Sequence, residues 1–246
     1  MTNRPYNDIA ILIPAYNEEK TILKVLQPLL TYCNHIIVVA DGCTDNTLNL
    51  IAHLPVTILK HPHNQGKGAS LQKGFSYIKG KPFKGVITID ADGQHDPHDI
   101  NHMIEAINLD SSCIIIGARQ GKKHSCPKYR FYANLLTDFC MSFLLKQKIE
   151  DSQSGFRFYP KSFIEHNLDS VYKRFGYESL LLLIAQKHKF MIKTATIMAL
   201  YPAGNRNSYY APIADSLTIA FILLINLIKN IPQFLKDYIL NVKKNS

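Results

Sequence analysis

The sequence predicts an α/β fold in which a mostly parallel sheet carries helices on both faces. Three observations predict it. Apolar runs short enough for buried strands alternate with stretches of helical periodicity through the first 120 residues. The segments joining them are short, so parallel strands with helical crossovers are the simplest arrangement. Finally, 46% apolar against 19% charged residues in a chain of 246 fills a complete core. That excludes a disordered, collagen-like or disulfide-stapled chain.

Ile9–Ile13 reads as a buried strand ending at Pro14, and from Glu18 to Tyr32 the apolar residues Ile22, Val25, Leu26, Leu29 and Leu30 fall at helical spacing. His35–Val39 is a second strand closed by Asp41-Gly42, and Thr44 is placed to cap a helix over Asp45–His53. Val56–Leu59 is a third strand, followed by a polar loop, His61–Gly68, and a helix to about Ile78. Gly85–Ile89 is a fourth strand ending on Asp90, followed by a helix over Pro97–Ile107 and a fifth strand, Cys113–Ile116. The second half is less regular. It offers a helix with a wide apolar face over Lys128–Leu145, a polar loop from Ile149 to Gly155 and the stretch Phe156–Pro160. Beyond these come a helix over Gly176–Lys187, a strand within Lys189–Tyr201 and a loop from Pro202 to Pro212. The expected organisation is one domain over 1–212 and an amphipathic C-terminal helical extension over 213–246.

The net charge of +9 is unevenly placed: residues 1–120 hold 10 Lys+Arg against 11 Asp+Glu, and residues 121–246 hold 18 against 8. The basic half is expected to face an anionic partner. Nucleic acid is not expected, because no basic helix interleaved with stacking aromatics accompanies a known binding motif. The five cysteines show no C-x-x-C spacing and read as buried small hydrophobes in a reducing compartment. Met1–Asp8 has no apolar core of a secretory signal. The apolar stretch Leu217–Ile228 is twelve residues long, too short to cross a bilayer, which takes about 20. With Lys229, Lys236, Lys243 and Lys244, it suits either an in-plane membrane helix or docking on the protein's own core. The expected location is cytoplasmic, peripheral on the cytoplasmic face of a membrane.

In a parallel sheet, ligands sit beyond the carboxyl ends of the strands. Tyr16, Asn17, Glu18, Asp41, Asn64, Lys67, Asp90 and Asp92 all fall at or just beyond such ends. Asp90-Ala91-Asp92-Gly93-Gln94 is the informative segment. Two carboxylates spaced i, i+2 after a buried strand are costly without a neutralising cation. Their hard oxygens suit Mg2+ or Mn2+ shared with diphosphate oxygens. The plainer alternative is that Asp90 and Asp92, with Asp96, cap the helix near Pro97.

Five segments together decide for the first reading: Pro14-Ala15-Tyr16-Asn17-Glu18, Asp41-Gly42-Cys43-Thr44-Asp45, Asn64-Gln65-Gly66-Lys67-Gly68-Ala69, Asp90-Ala91-Asp92-Gly93-Gln94-His95-Asp96-Pro97 and Ser154-Gly155-Phe156-Arg157. In this order they resemble the family-2 glycosyltransferases, and most closely the dolichyl or polyprenyl phosphate mannosyltransferase-like branch. The resemblance implies a GT-A fold, a UDP- or GDP-sugar donor, Mg2+ or Mn2+, and inversion at the anomeric carbon. It further implies a nucleotide-sugar half over about 1–120 and an acceptor half over about 121–212. Pro14, Tyr16 and Glu18 match the loop around the base and ribose, and Asp41 matches the acidic residue that meets the base. Lys67 and Arg119 are expected near the diphosphate. Asp90, Asp92 and Gln94 match the segment that holds metal and diphosphate, and Gly155 and Arg157, with Arg130, are expected on the acceptor side. Two features depart from or limit the family pattern. Ala40 stands where the family usually has a second acid, and the absence of Trp precludes the Gln-x-x-Arg-Trp motif of processive synthases. Transfer of a single sugar is therefore expected.

An acceptor that is a lipid phosphate brings an oxygen already anionic; a hydroxyl acceptor requires a general base. Asp151 and Glu178 are the candidate catalytic carboxylates, with Arg157 beside them. Asp151 could instead hold its loop by Asx-turn bonds, and Glu178 could simply favour a helix N-terminus. Arg119, Lys122, Lys123, Lys128, Arg130 and Arg157 form a basic set suited to a lipid-linked or phosphate-bearing acceptor or to the donor phosphates. The alternatives are a non-catalytic nucleotide-binding module of the same fold and a nucleotidyltransferase. The latter would require a Gly-rich basic loop after the first strand, which Pro14–Glu18 does not provide.

Overall fold

A computed structural model of the chain describes residues 6–120, 128–174 and 176–198. The sheet has seven strands in the order β3-β2-β1-β4-β6-β5-β7. These are β1 (Ile9–Ala15), β2 (Ile36–Asp41), β3 (Thr57–His61), β4 (Gly85–Thr88), β5 (Ile114–Gln120), β6 (Arg157–Pro160) and β7 (Ile192–Met198). The first four strands pair in parallel, as the apolar runs of β1, β2 and β4 predict. β7 is parallel to β5. The exception is β6, antiparallel to both β4 and β5. Its four residues are all buried, include Arg157 and end in Pro160, so no alternation marks it as a strand. Its direction matters for the site. Thr88 of β4 faces Arg157 of β6, which brings the loop leading into β6 to the rim where β1, β2 and β4 end.

Helices cover both faces, and the side chains of each strand alternate between two cores. Ile9, Ile11, Ile13, Ile36, Val38 and Ile87 pack with α1 (Ile22–Tyr32) and α4 (Ile100–Leu109). Ala10, Leu12, Ile37, Val39 and Val86 pack with α3 (Lys67–Ile78), α5 (Lys128–Leu145) and α7 (Gly176–Lys187). Short helices α2 (Thr47–Ile51) and α6 (Lys161–Ile164) complete the set.

Three local expectations change. The helix after β2 is shorter than Asp45–His53, and Thr44 does not cap it. Thr44 instead pairs with Asn17, while Asp45 Oδ1 accepts from the Thr47 N–H at 3.0 Å. The segment after β4 opens with a 3-10 turn, Pro97–Asp99, capped by Asp96, whose Oδ1 accepts from the His98 N–H at 2.9 Å. Capping there falls to Asp96, so Asp90 and Asp92 stand outside it. The broad apolar face of α5 is only partly internal. Met141, Leu144 and Leu145 enter the core, whereas Tyr132, Leu135, Leu136, Phe139 and Phe143 are 54–69% exposed. The extension expected over 213–246 and the loop over Pro202–Pro212 lie outside the described residues.

The seating of α3 fixes Lys67 at the rim, and Gly74 permits it. A Cβ at Gly74 would overlap the δ carbons of Leu12, which is fully buried. Gly74→Ala would gain about 0.8–1 kcal/mol of helix propensity but face an overpacking cost of about 1–3 kcal/mol. Net destabilisation is expected, seen as a lower urea midpoint at unchanged slope. A raised midpoint would show that α3 can shift away from β1.

Candidate active site

Two stitched loops form one side of the rim. Asn17, in the left-handed region at φ 53°, accepts the Thr44 N–H on Oδ1 at 2.8 Å. The Glu18 N–H donates to Thr47 Oγ1 at 2.8 Å, and the Glu19 N–H to Asp45 Oδ2 at 3.0 Å. Pro14, Tyr16 and Glu18 are half-buried along this seam, around the end of β1.

Asp41 has a structural task that its position in the sequence did not suggest. Its carboxylate is 2% exposed and accepts the N–H groups of Gln65 and Gly66 at 3.0 and 2.7 Å, with His61 Nδ1 also at 2.7 Å. Both oxygens hold the loop that leads into α3, so Asp41 sets the position of Lys67 from within the fold. Gly42 at φ 66° allows the approach, since a Cβ there would overlap the main chain of His63.

Lys67, the first residue of α3, lies between two carboxylates, with Nζ 2.7 Å from Asp90 Oδ1 and 2.8 Å from Glu178 Oε2. Burial alone would lower its pKa, but Asp90 and Glu178 hold it above the usual lysine range. Burial opposes the charge of Asp90 as well, yet Lys67 and His95 hold its pKa below normal. Asp92, two residues on, is pushed up to about 6 by burial and by the charge of Asp90. Its Oδ1 accepts the main-chain N–H of Gln94 at 2.9 Å. His95 is 2% exposed, stacks edge-on against Phe156 at 5.6 Å and has Nε2 3.9 Å from Asp90 Oδ2. Burial, then Arg119, draws its pKa down to about 4, so it is a neutral ring near neutral pH.

The loop before β6 closes the site. Thr88 Oγ1 donates to the Gly155 carbonyl at 2.9 Å, setting Gly155 against Asp90, where a Cβ would overlap the Asp90 carboxylate. Asp151, at φ 53°, receives Arg119 in a forked pair, Nε to Oδ2 at 2.8 Å and Nη2 to Oδ1 at 2.9 Å, and also the Arg119 main-chain N–H at 3.0 Å. Arg157 is fully enclosed. It donates to the carbonyls of Ser154, Glu178 and Ser152 at 2.7, 2.8 and 2.6 Å and to the Tyr159 hydroxyl at 3.3 Å. Its guanidinium ties the loop to α7 and does not line the rim. Arg130 lies in α5, and its side chain is outside the described residues, as are Lys122 and Lys123.

One residue that the sequence reading did not single out organises this loop. Asp138 of α5 accepts the N–H groups of Asp151 and Ser152 at 3.2 and 2.8 Å and the Ser152 hydroxyl at 2.5 Å. The available signal was an acid sharing a helix face with Met141, Ser142 and Leu145.

The donor set fits a divalent cation. Four carboxylates, Asp90, Asp92, Asp151 and Glu178, are set against the three cations Lys67, Arg119 and Arg157 in one electrostatic network. The surplus is negative and centred on Asp90 and Asp92. No group of three or more His, Cys, Asp or Glu residues suited to a metal occurs among the described residues. A cation on this pair would complete its shell with other oxygens, such as those of Gln94, a diphosphate or water. Mg2+ and Mn2+ tolerate that sharing, whereas a structural zinc site is closed by protein ligands.

The doubly wound sheet, with an acidic pair, a lysine and a glycine-led loop gathered at one rim, has the GT-A fold. The chain belongs to glycosyl transferase family 2, whose model matches residues 10–168. It is 32% identical over 215 residues to the UDP-N-acetylglucosamine–dolichyl-phosphate N-acetylglucosaminyltransferase of Methanococcus voltae, covering 78% of this chain and 86% of that protein. It is 27% identical over 175 residues to the polyprenol monophosphomannose synthase of Mycolicibacterium smegmatis, covering 67% of this chain and 66% of that protein. In fold it matches glucosyl-3-phosphoglycerate synthase from Mycobacterium tuberculosis, crystallised with Mn2+, UDP-glucose and phosphoglyceric acid. The TM-score is 0.66 at 18% identity, over 91% of this chain and 80% of the other.

Gly155→Ala should displace the Asp90 carboxylate while leaving both cores intact. Sugar transfer is expected to fall at least about tenfold, roughly 1.4 kcal/mol in the barrier, with the thermal midpoint nearly unchanged. Full activity in this variant would show that the approach of Gly155 to Asp90 has no part in the reaction.

Proposed function

We propose that this enzyme moves one sugar from a UDP- or GDP-sugar to a polyprenyl-phosphate-type lipid, by direct displacement with inversion at the anomeric carbon. One observation carries the choice of acceptor: each candidate base is paired with a cation, and both side chains are buried, Asp151 at 3% and Glu178 at 8% exposed. Asp151 is clamped by three N–H groups of Arg119. Glu178 is paired with Lys67. A hydroxyl acceptor would have to lose its proton to one of them, whereas a phosphate oxygen attacks without a base. The dolichyl-phosphate and polyprenol names of the two relatives support the same acceptor class.

In this reading, Pro14, Tyr16 and Glu18 border the nucleoside, and Lys67 and Arg119 face the diphosphate. Asp90 and Asp92, with Gln94, would hold Mg2+ or Mn2+, which offsets negative charge on the leaving diphosphate. Lys67, held beside Asp90 and Glu178, contributes a nearby positive charge as the bond breaks. Gly155 keeps the acceptor side of Asp90 open. Asp41, Asp138 and Arg157 act earlier, by holding the three loops in place.

Residues 1–212 make up the catalytic unit, and 213–246 an extension that helps to seat it at a membrane. No helix among the described residues is long and apolar enough to cross a membrane. A peripheral seat is supported by Leu135, Leu136 and Phe139, which are exposed along α5.

The test offers UDP-N-acetylglucosamine, UDP-glucose and GDP-mannose with Mn2+ and either polyprenyl phosphate or the matching polyprenol. Nucleoside diphosphate release that requires the phosphate, by about 100-fold or more over the alcohol, is expected for one donor, a barrier difference of about 2.7 kcal/mol. Equal use of the alcohol would contradict the base-free reading.

A further inference from the structure

The ammonium of Lys67 is shared between two carboxylates that differ in access. Asp90 lies at the rim with its side chain 23% exposed, while the Glu178 side chain is 8% exposed and set behind it. A cation arriving from solvent therefore meets Asp90 first and finds it already paired. Glu178 uses Oε2 for Lys67 at 2.8 Å, and its buried Oε1 has no hydrogen-bond partner among the described residues. A buried acceptor without a donor is unusual in a native interior.

We propose that Lys67 is a resident cation which Asp90 releases when a divalent metal binds, and that Glu178 is the positioning residue that receives it. The inference rests on the metal-assisted transfer proposed above. An ammonium carries three donors. The donor withdrawn from Asp90 can turn to Glu178 Oε1, so the exchange leaves no charge buried and unpaired. Both ends of the pair are fixed. The Ala69 N–H bonds the Lys173 carbonyl at 3.0 Å beside Lys67, and Arg157 Nη1 bonds the Glu178 carbonyl at 2.8 Å. The side-chain handover therefore needs no movement of α3 or α7. Without Glu178, the metal would have to displace Lys67 from Asp90 with no second carboxylate of this pair to receive it.

Mn2+ binding to the full-length protein without nucleotide, read from the electron paramagnetic resonance of free Mn2+, tests this apart from turnover. Glu178→Gln should weaken Mn2+ binding by about tenfold, because a neutral amide no longer draws Lys67 away. Lys67→Met should bind Mn2+ at least as tightly as wild type. The double variant should bind more tightly than Glu178→Gln alone, a coupling that generally loosened packing would not produce. Wild-type affinity in Glu178→Gln, or no recovery in the double variant, would overturn the handover. If Glu178→Gln does not fold, Lys67→Met decides: equal or tighter binding supports the proposal and weaker binding overturns it. A wild-type protein that binds no Mn2+ would remove the metal reading itself, a failure distinct from that of the handover.

Discussion

Carboxylates gathered at the edge of a buried sheet are costly unless each finds a counter-charge, and the pairing of Lys67 with Asp90 and Glu178 decides which elements must meet. It joins the start of α3, the end of β4 and the first turn of α7. Much of the polar structure nearby serves those three positions. Asp41 fixes the loop that delivers Lys67, Thr88 sets Gly155 against Asp90, and Arg157 anchors the first turn of α7. A second pair, Arg119 with Asp151, closes the opposite side and is steadied by Asp138 from α5.

The antiparallel β6 is what allows the loop before it to reach a rim built from parallel strands. Had it run with β4, Gly155 would lie at the far edge of the sheet. Because it runs against β4, the strand carries its leading loop to the carboxyl ends of its neighbours. The mostly parallel half supplies Asp90 and Asp92 to the rim, and this one reversal supplies Gly155.

The parallel half was legible in the sequence because β1, β2 and β4 are buried on both faces and read as unbroken apolar runs between turn residues. Asp90 and Asp92 were legible because their spacing is local. β6 was not, since a four-residue strand with a buried arginine lacks any period. The partner of Lys67 was not legible either. Glu178 looks like an ordinary first-turn acid, and only the packing of α7 against α3 joins them. Asp151 and Arg157 were found as residues, but their partners in the fold were not legible. An ion pair with Arg119 and an enclosed set of carbonyl bonds depend on tertiary contacts that spacing does not encode. The loop-holding task of Asp41 was not legible for the same reason: its carboxylate turns onto the loop before α3.

The central claim is that Asp90 and Asp92 hold a cation and a nucleotide diphosphate jointly at this rim. Calorimetric titration of UDP and of GDP, with and without Mn2+, into wild type and Asp90→Asn addresses it most directly. The account predicts that one nucleotide binds the wild type at least about tenfold more tightly with Mn2+, and that Asp90→Asn abolishes this dependence. Equal affinity with and without Mn2+, or an undiminished Mn2+ effect in Asp90→Asn, would contradict it.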